Sequence, residues 1–276
     1  MTATEDLLRF DRVSFGFEDG PDVVDGLDLV IRRNEFVSVL GPSGCGKSTA
    51  LNLAAGLLQP REGVVVYDGE PVTTVNTAVG YMTQHDTLLP WKTTADNVGL
   101  PLRFVRPRPS RTAIAQRVAA ALERVNLGDA GAKFPAQLSG GMKRRAVLAR
   151  SVIADPAMIL MDEPFSALDA QLAGQMRTQV RRVVEAMGQT VMFVTHDIDE
   201  SLLMSDRVVV LGVPGARIVG EVVVPFGNDR DAEAVRVTDG YLTLRAELHA
   251  LLEAAYPARA GTEADEPATA GPARRT

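Results

Sequence analysis

The chain has 276 residues, 46% hydrophobic and 23% charged, a profile that suits a soluble globular protein with one or two cores and excludes disorder over most of its length. Lys and Arg number 29 against 35 Asp and Glu, a formal charge of −6, so bulk electrostatics argue against a nucleic-acid partner. One cysteine allows no internal disulfide, no apolar run reaches the ~18 residues that cross a bilayer, and the acidic start MTATEDLLRF is no signal peptide, which together point to the cytosol.

Between residues 10 and 40 apolar groups alternate and cluster as in strands: Val13, Phe15 and Phe17, then Leu27, Leu29 and Ile31, then Phe36, Val37 and Val39. Helical spacing follows over Lys47–Leu58, and short strands are predicted at Val64–Tyr67, with Asp68-Gly69 as a turn, and at Ala78–Met82. From Thr94 to Ala154 the pattern becomes helical, with Arg111–Val125 and Met142–Ala154 as its main helices, and reads as an inserted subdomain over about residues 86–155. Strand and helix then alternate: Met158–Met161, helix Ala170–Met187, strand Thr190–Val194, helix Ile198–Met204 and strand Arg207–Leu211. That order implies parallel strands with crossover helices. Val213-Pro214-Gly215 punctuates a hairpin into Ile218–Val224, Tyr241–Ala255 reads as a closing helix, and residues 257–276 have the composition of a disordered tail after a single domain over 1–256. No internal repeat is visible.

Gly41-Pro42-Ser43-Gly44-Cys45-Gly46-Lys47-Ser48 fits G-x-x-x-x-G-K-[ST], with a predicted strand before it and a helix, entered through Thr49, after it. Glycines let successive backbone N–H groups turn toward phosphate oxygens, and the helix that follows points its positive end at the same place. In such a loop Lys47 reaches the β- and γ-phosphates, and the Ser48 hydroxyl ligates Mg²⁺. Cys45 has two readings: a small residue that fits the loop, which is the commoner case, or a thiol activated by a helix N-terminus.

Met158-Ile-Leu-Met-Asp162-Glu163 adds two acids at the carboxyl end of a buried strand, where open parallel sheets bind ligands. Asp162 is a candidate Mg²⁺ holder and Glu163 the candidate that orients and polarises the attacking water. His196 follows the strand Thr190–Val194, just before Asp197, which can cap the next helix with Glu200 three residues on. It is either a structural histidine or a donor to the γ-phosphate. His85 and His249 read as surface residues.

Leu138-Ser139-Gly140-Gly141-Met142 ahead of Asp162-Glu163-Pro164, Ser166-Ala-Leu-Asp169 and Thr195-His196-Asp197 resembles the ATP-binding subunit of an ABC transporter over roughly residues 8–225. Leu-Ser-Gly-Gly discriminates, because phosphate loops also serve kinases and GTPases. The resemblance implies an α/β P-loop NTPase (RecA-like) core with an antiparallel β subdomain and an inserted helical subdomain, acting on ATP with Mg²⁺. Ser139 and the two glycines stand at a helix N-terminus and make a second anion site. One chain does not readily place both anion sites on one γ-phosphate, and the family's answer is a head-to-tail dimer, either of two copies of this chain, the favoured reading, or with a paralogue. Each ATP then lies between the phosphate loop of one copy and Ser139-Gly140-Gly141 of the other.

By the same resemblance Gln84 senses Mg²⁺ and the attacking water, Phe17 stacks on adenine unless it is a core residue, and Asp169 contacts the opposite subunit. Met142 in place of glutamine and Asn34 in place of glycine are departures, the second tolerable because asparagine visits left-handed backbone. Leu88-Leu89-Pro90-Trp91, Met161-Asp-Glu-Pro-Phe165 and Thr195-His-Asp-Ile-Asp-Glu200 resemble more closely the nitrate, sulfonate and taurine importers. That implies a peripheral subunit on the cytoplasmic face of the membrane, powering import through separate transmembrane permease subunits with an extracytoplasmic solute-binding protein. Trp91 is either a contact for the membrane partner or a packing residue, and the basic run Leu102–Arg111 reads as a solvated loop. The alternatives are a soluble ABC-type ATPase, an exporter ATPase, or a small-molecule kinase, the last leaving Leu138–Met142 and His196 without jobs.

Overall fold

The computed structural model describes residues 6–18, 20–166, 168–227 and 232–256, so the expected tail over 257–276 lies outside the described residues. Strand β1 (Asp6–Gly16) pairs antiparallel with β2 (Asp22–Arg32), and the apolar set Leu7, Leu8, Phe10 and Val13 of β1 is buried. Strand β3 (Phe36–Leu40) is buried at every position and runs into the glycine-rich turn that opens helix α1 (Lys47–Ala54). Helix α1 stops short of the expected Leu58. Gly56 there adopts φ +67°, and any Cβ on it would stand 2.0 Å from the Thr74 carbonyl oxygen, so the helix ends where a second backbone segment crosses. Strands β4 (Glu62–Tyr67) and β5 (Glu70–Pro71) form a hairpin whose turn is Asp68-Gly69, both at positive φ, as that dipeptide predicts.

Strand β6 (Val79–Met82) leads into the helical block: α2 (Thr94–Val98), α3 (Arg111–Arg124) and α4 (Gly140–Val152). Each of these helices has a hydroxyl cap, Thr93, Ser110 and Ser139, whose side chain accepts a backbone N–H three residues on. Helix α4 therefore starts two residues earlier than its hydrophobic pattern shows, and Gly140 and Gly141 form its first turn. The block shares one core with the sheet: Leu122, Val147 and Leu148 lie in the same buried cluster as Met82, Ile159, Met161 and Phe193.

The remaining elements are β7 (Met158–Asp162), α5 (Ala170–Met187), β8 (Thr190–Thr195), α6 (Ile198–Met204), β9 (Arg207–Gly212), β10 (Arg217–Val223), α7 (Ala232–Arg236) and α8 (Asp239–Ala254). Asp169 and Asp197 cap α5 and α6, and Gly188 in left-handed conformation closes α5, so both helices coincide with the expected spans. The chain makes two sheets. One is antiparallel, ordered β2-β1-β4-β5; the other is ordered β10-β9-β3-β8-β7-β6, parallel from β9 to β6 with β10 antiparallel at its edge.

Both faces of the second sheet are covered, which is why its strands read as continuous apolar runs. In β7, Met158 and Leu160 pack toward the antiparallel sheet and α1, while Ile159 and Met161 pack toward the helical block. Helix α8 closes the β9–β10 side through Tyr241 and Leu248. With each such buried side chain contributing about 1.5–3 kcal/mol, the sheet is a rigid base for whatever its loops hold.

Candidate active site

Parallel registration puts the ends of neighbouring strands side by side. Leu40 of β3 pairs with Thr195 of β8, Asp162 of β7 with Val194 of β8, and Met82 of β6 with Met161 of β7. Gly41, Glu163 and His196 are therefore the next residues out along one sheet edge, with Gln84 two beyond the end of β6. This is the edge at which open α/β sheets hold ligands.

The glycine-rich turn follows its sequence closely. Gly44 and Gly46 have φ +80° and +104°. A Cβ on Gly46 would stand 2.7 Å from the Val23 carbonyl oxygen, and one on Gly41 would stand 2.4 Å from that of Leu211, so neither position has room for a side chain. Lys47 is buried, and its Nζ donates to the carbonyl oxygens of Gly41 and Pro42, both at 2.8 Å. Two of the ammonium's three donors thus close the turn into a ring. Ser43, Gly44 and Ser48 line its exposed side, and Thr49 is half-buried on the first turn of α1.

Cys45 is only 1% exposed, and burial pushes its thiol above the ordinary range despite the nearby Lys47. This decides between the two readings in favour of a small packing residue. The native protein is accordingly expected to react with a thiol reagent such as Ellman's at least tenfold more slowly than the urea-unfolded chain; equal rates would show the thiol to be open.

Across the edge, Ser48 Oγ donates to Asp162 Oδ1 at 2.9 Å, joining the turn to the end of β7. Burial raises the Asp162 carboxyl, the Ser48 hydrogen bond and Lys47 oppose the rise, and Glu163 adds to it. A partly desolvated carboxylate beside a hydroxyl is a hard oxygen donor set, the kind that suits Mg²⁺ bound jointly with phosphate and water. Among the described residues no group of three or more His, Cys, Asp or Glu side chains forms a cage for a metal by itself.

Glu163 adopts φ +42°, a strained conformation for a residue with a Cβ. Its N–H donates to Val194 O at 2.9 Å, continuing the ladder, while its side chain turns to His196, Nδ1 lying 3.2 Å from Oε2. His196 thus stands against Glu163 and is exposed, which removes the reading of a packed structural histidine. Asp197 Oδ1 accepts the Glu200 N–H at 2.9 Å, the expected cap, and buried Glu200 in turn accepts from Thr195 Oγ1 at 2.7 Å and pairs with Arg177 at 3.4 Å. His85 and His249 are exposed.

The other sequence candidates lie further out. Gln84 is exposed on the loop after β6. Phe17, 57% exposed, stacks edge-on against Phe15 with ring centroids 4.9 Å apart, so it is no core residue. Trp91 is 71% exposed, which excludes a packing role. Asn34 has φ +60°, the left-handed conformation its position demands. Ser139, Gly140 and Gly141 line a separate cavity of about 410 Å³ with Asp169 and Leu172, the latter close enough that a Cβ on Gly141 would meet its Cδ1 at 2.9 Å. Asp169 Oδ1 is engaged by the Leu172 N–H.

Two arginines of α4 escape a reading by motif. Arg144 and Arg150 reach out of that helix to the loop after β6: Arg144 Nη1 donates to Thr83 O at 3.1 Å and Arg150 Nη1 to Thr87 O at 2.7 Å. In Lys143-Arg144-Arg145 the charges look like a solvated cluster. The signal lies in the period, because Arg144 falls in register with buried Val147, Leu148 and Ser151.

The sequence profile described as ABC transporter matches residues 24–166, from β2 through the Asp162-Glu163 edge. A nitrate import ATP-binding protein of Synechococcus elongatus is 40% identical over 250 residues, 89% of this chain and 91% of the relative. A taurine import ATP-binding protein of Pelagibacter ubique is 36% identical over 225 residues, 80% of this chain and 84% of the relative. Other curated relatives are longer, and this chain spans 34–36% of their length. Among solved structures, a dimeric ATP-binding cassette in a post-hydrolysis state with ADP and Pi superposes with TM-score 0.69 at 28% identity, over 80% of this chain and all of that one. The glycine-rich turn at the sheet edge, the carboxylates beside it and these likenesses converge: the chain belongs to the ABC transporter family, as an ATP-binding subunit that hydrolyses ATP.

Proposed function

We propose that this subunit powers import of a small anion such as nitrate, a sulfonate or taurine, through separate transmembrane permease subunits supplied by an extracytoplasmic solute-binding protein. The observation that carries the mechanistic part is the pair of contacts along one edge, Ser48 to Asp162 and His196 to Glu163. The nitrate and taurine relatives support the solute class. No described helix is long and apolar enough to cross a membrane, and exposed Trp91 and Phe104, 71% and 70%, offer anchors for membrane subunits between Gln84 and α3.

In this reading Gly41–Ser48 and Thr49 cradle the triphosphate, with Lys47 on its outer phosphates and Phe17 on the adenine. Ser139, Gly140 and Gly141 of a second copy complete the site, and Asp169 meets that copy. Ser48, Gln84 and Asp162 would hold Mg²⁺, which when bound would neutralise charge on the phosphates. Glu163 orients and deprotonates the attacking water, and His196, steadied by Glu163, donates to the γ-phosphate. Little covalent chemistry is asked of the protein. Positioning and charge stabilisation carry the rate. Closure of the dimer on ATP and reopening after hydrolysis then drive the permease.

Deletion of this gene is expected to abolish uptake of one of these labelled anions by cells, with recovery on re-expression. Unchanged uptake of all of them, with the protein co-purifying with ribosomes or DNA, would replace transport with a soluble ATPase role.

A further inference from the structure

Arg144 is 3% exposed, yet carries a full charge. Its guanidinium spans two loops at the catalytic edge. Nε donates to Pro164 O at 2.6 Å and Nη2 reaches Glu163 O at 3.4 Å on the segment after β7; Nη1 donates to Thr83 O at 3.1 Å and lies 3.4 Å from Asp86 Oδ1 on the loop after β6. Residues 83 to 86 flank Gln84, and residues 163 and 164 contain the strained glutamate and its neighbour.

Burying a cation is costly, and its one carboxylate partner among the described residues, Asp86, is a third exposed and at long range. Replacing the arginine alone orphans the Pro164, Thr83 and Glu163 carbonyls and so costs stability, but buried charge is in itself a weak source of stability, and the arginine's placement across two loops calls for a further reason. What it does is geometric. A strained backbone persists only where surrounding contacts over-determine it. Glu163 is held by its N–H on Val194 O, by the Ser166 hydroxyl on its carbonyl at 3.0 Å, and by Arg144 on the same carbonyl and the next. Arg144 also belongs to α4, the helix that begins at Ser139, Gly140 and Gly141. One stiff element therefore carries the second anion site at its tip and the clamp on both catalytic loops little more than a turn further on.

We propose that Arg144 is a positioning residue for ATP hydrolysis: it locks the backbone of Glu163 to the Gln84 loop, and transmits engagement of Ser139–Gly141 by the partner copy's nucleotide to both. The proposal rests on the assignment of Glu163 as the group that activates water. Arg144 touches no reacting atom in it and acts through two backbone segments.

The test uses the full chain with R144M and R144Q, which keep length or polarity but cannot span both loops, and R144K, which keeps the charge with one nitrogen. For R144M and R144Q, kcat per folded molecule is expected to fall at least tenfold while KM and the Kd for ATP stay within threefold, with Tm lowered by the orphaned carbonyls; R144K recovers part of the loss of kcat. A purely structural arginine would lower Tm as well but leave kcat of the folded fraction intact. Turnover within twofold of wild type in both R144M and R144Q, or loss of ATP affinity in step with turnover, overturns the clamp. E163Q is assayed in parallel. If E163Q turns over normally, the underlying assignment has failed; if E163Q is inactive while R144M is normal, only the clamp has.

Discussion

Replacing Lys47 with alanine is expected to abolish tight ATP binding, raising Kd by roughly a hundredfold or more, as calorimetry with ATP and Mg²⁺ would show. The ammonium is buried at the centre of the turn, with its charge delivered by a short stretch of rigid backbone between β3 and α1. Truncating one partner of a desolvated charge pair costs about 2–5 kcal/mol, which is roughly 30-fold to several thousandfold in affinity. The lysine has a second job. Its bonds to Gly41 O and Pro42 O at 2.8 Å tie the turn back on itself, so the variant loses both the charge and the loop's own brace. The two effects separate experimentally. Loss of the brace alone would lower Tm and spare affinity at high ATP, whereas loss of the charge removes affinity while unfolding of the sheet, whose core the lysine does not build, shifts little. An unchanged Kd would mean that the Gly41–Ser48 turn does not receive the phosphates.

Much of the architecture was written in local patterns. Asp169 and Gly188 bound α5, and Asp197 opens α6, because caps satisfy helix-end groups that nothing else nearby can reach. The strands β7 and β8 announced themselves by apolar runs that only a sheet covered on both faces explains. Where tertiary contacts decide, the sequence was silent. The two-residue β5 and five-residue α7 are too short to show a period, and α1 ends at Ala54 because Thr74, distant in the chain, crosses at Gly56.

The site divides in the same way. Positions whose backbone shape demands glycine, Gly41, Gly44 and Gly46, were legible, since only that residue type fits those turns. The His196 to Glu163 contact needed the register of β7 and β8, and the ring of Lys47 onto Gly41 and Pro42 needed the three-dimensional shape of the loop. Arg144 was hidden among neighbouring basic residues until the helix phase turned it inward.

Glu163→Gln is expected to leave ATP binding within a few fold of wild type while phosphate release falls by about 10²–10⁴, the range that positioned general bases contribute. The amide keeps the shape and the hydrogen-bonding reach toward His196, which stands 3.2 Å from the carboxylate oxygen, so the edge need not rearrange. It loses the capacity to take a proton from water. It also removes one negative charge beside Asp162, whose own ionisation Glu163 disfavours, and from the neighbourhood of a bound triphosphate. The variant therefore binds nucleotide at least as readily as the native chain but does not discharge it. If each triphosphate is gripped by the Gly41–Ser48 turn of one copy and Ser139–Gly141 of another, undischarged ATP holds the two together. Size-exclusion chromatography with ATP and Mg²⁺ should then show a stable dimer for the variant where the native chain is chiefly monomeric. A variant that stays monomeric and releases phosphate at the native rate would remove Glu163 from the chemistry, whereas one that is inactive yet monomeric would keep the base and reject the shared site.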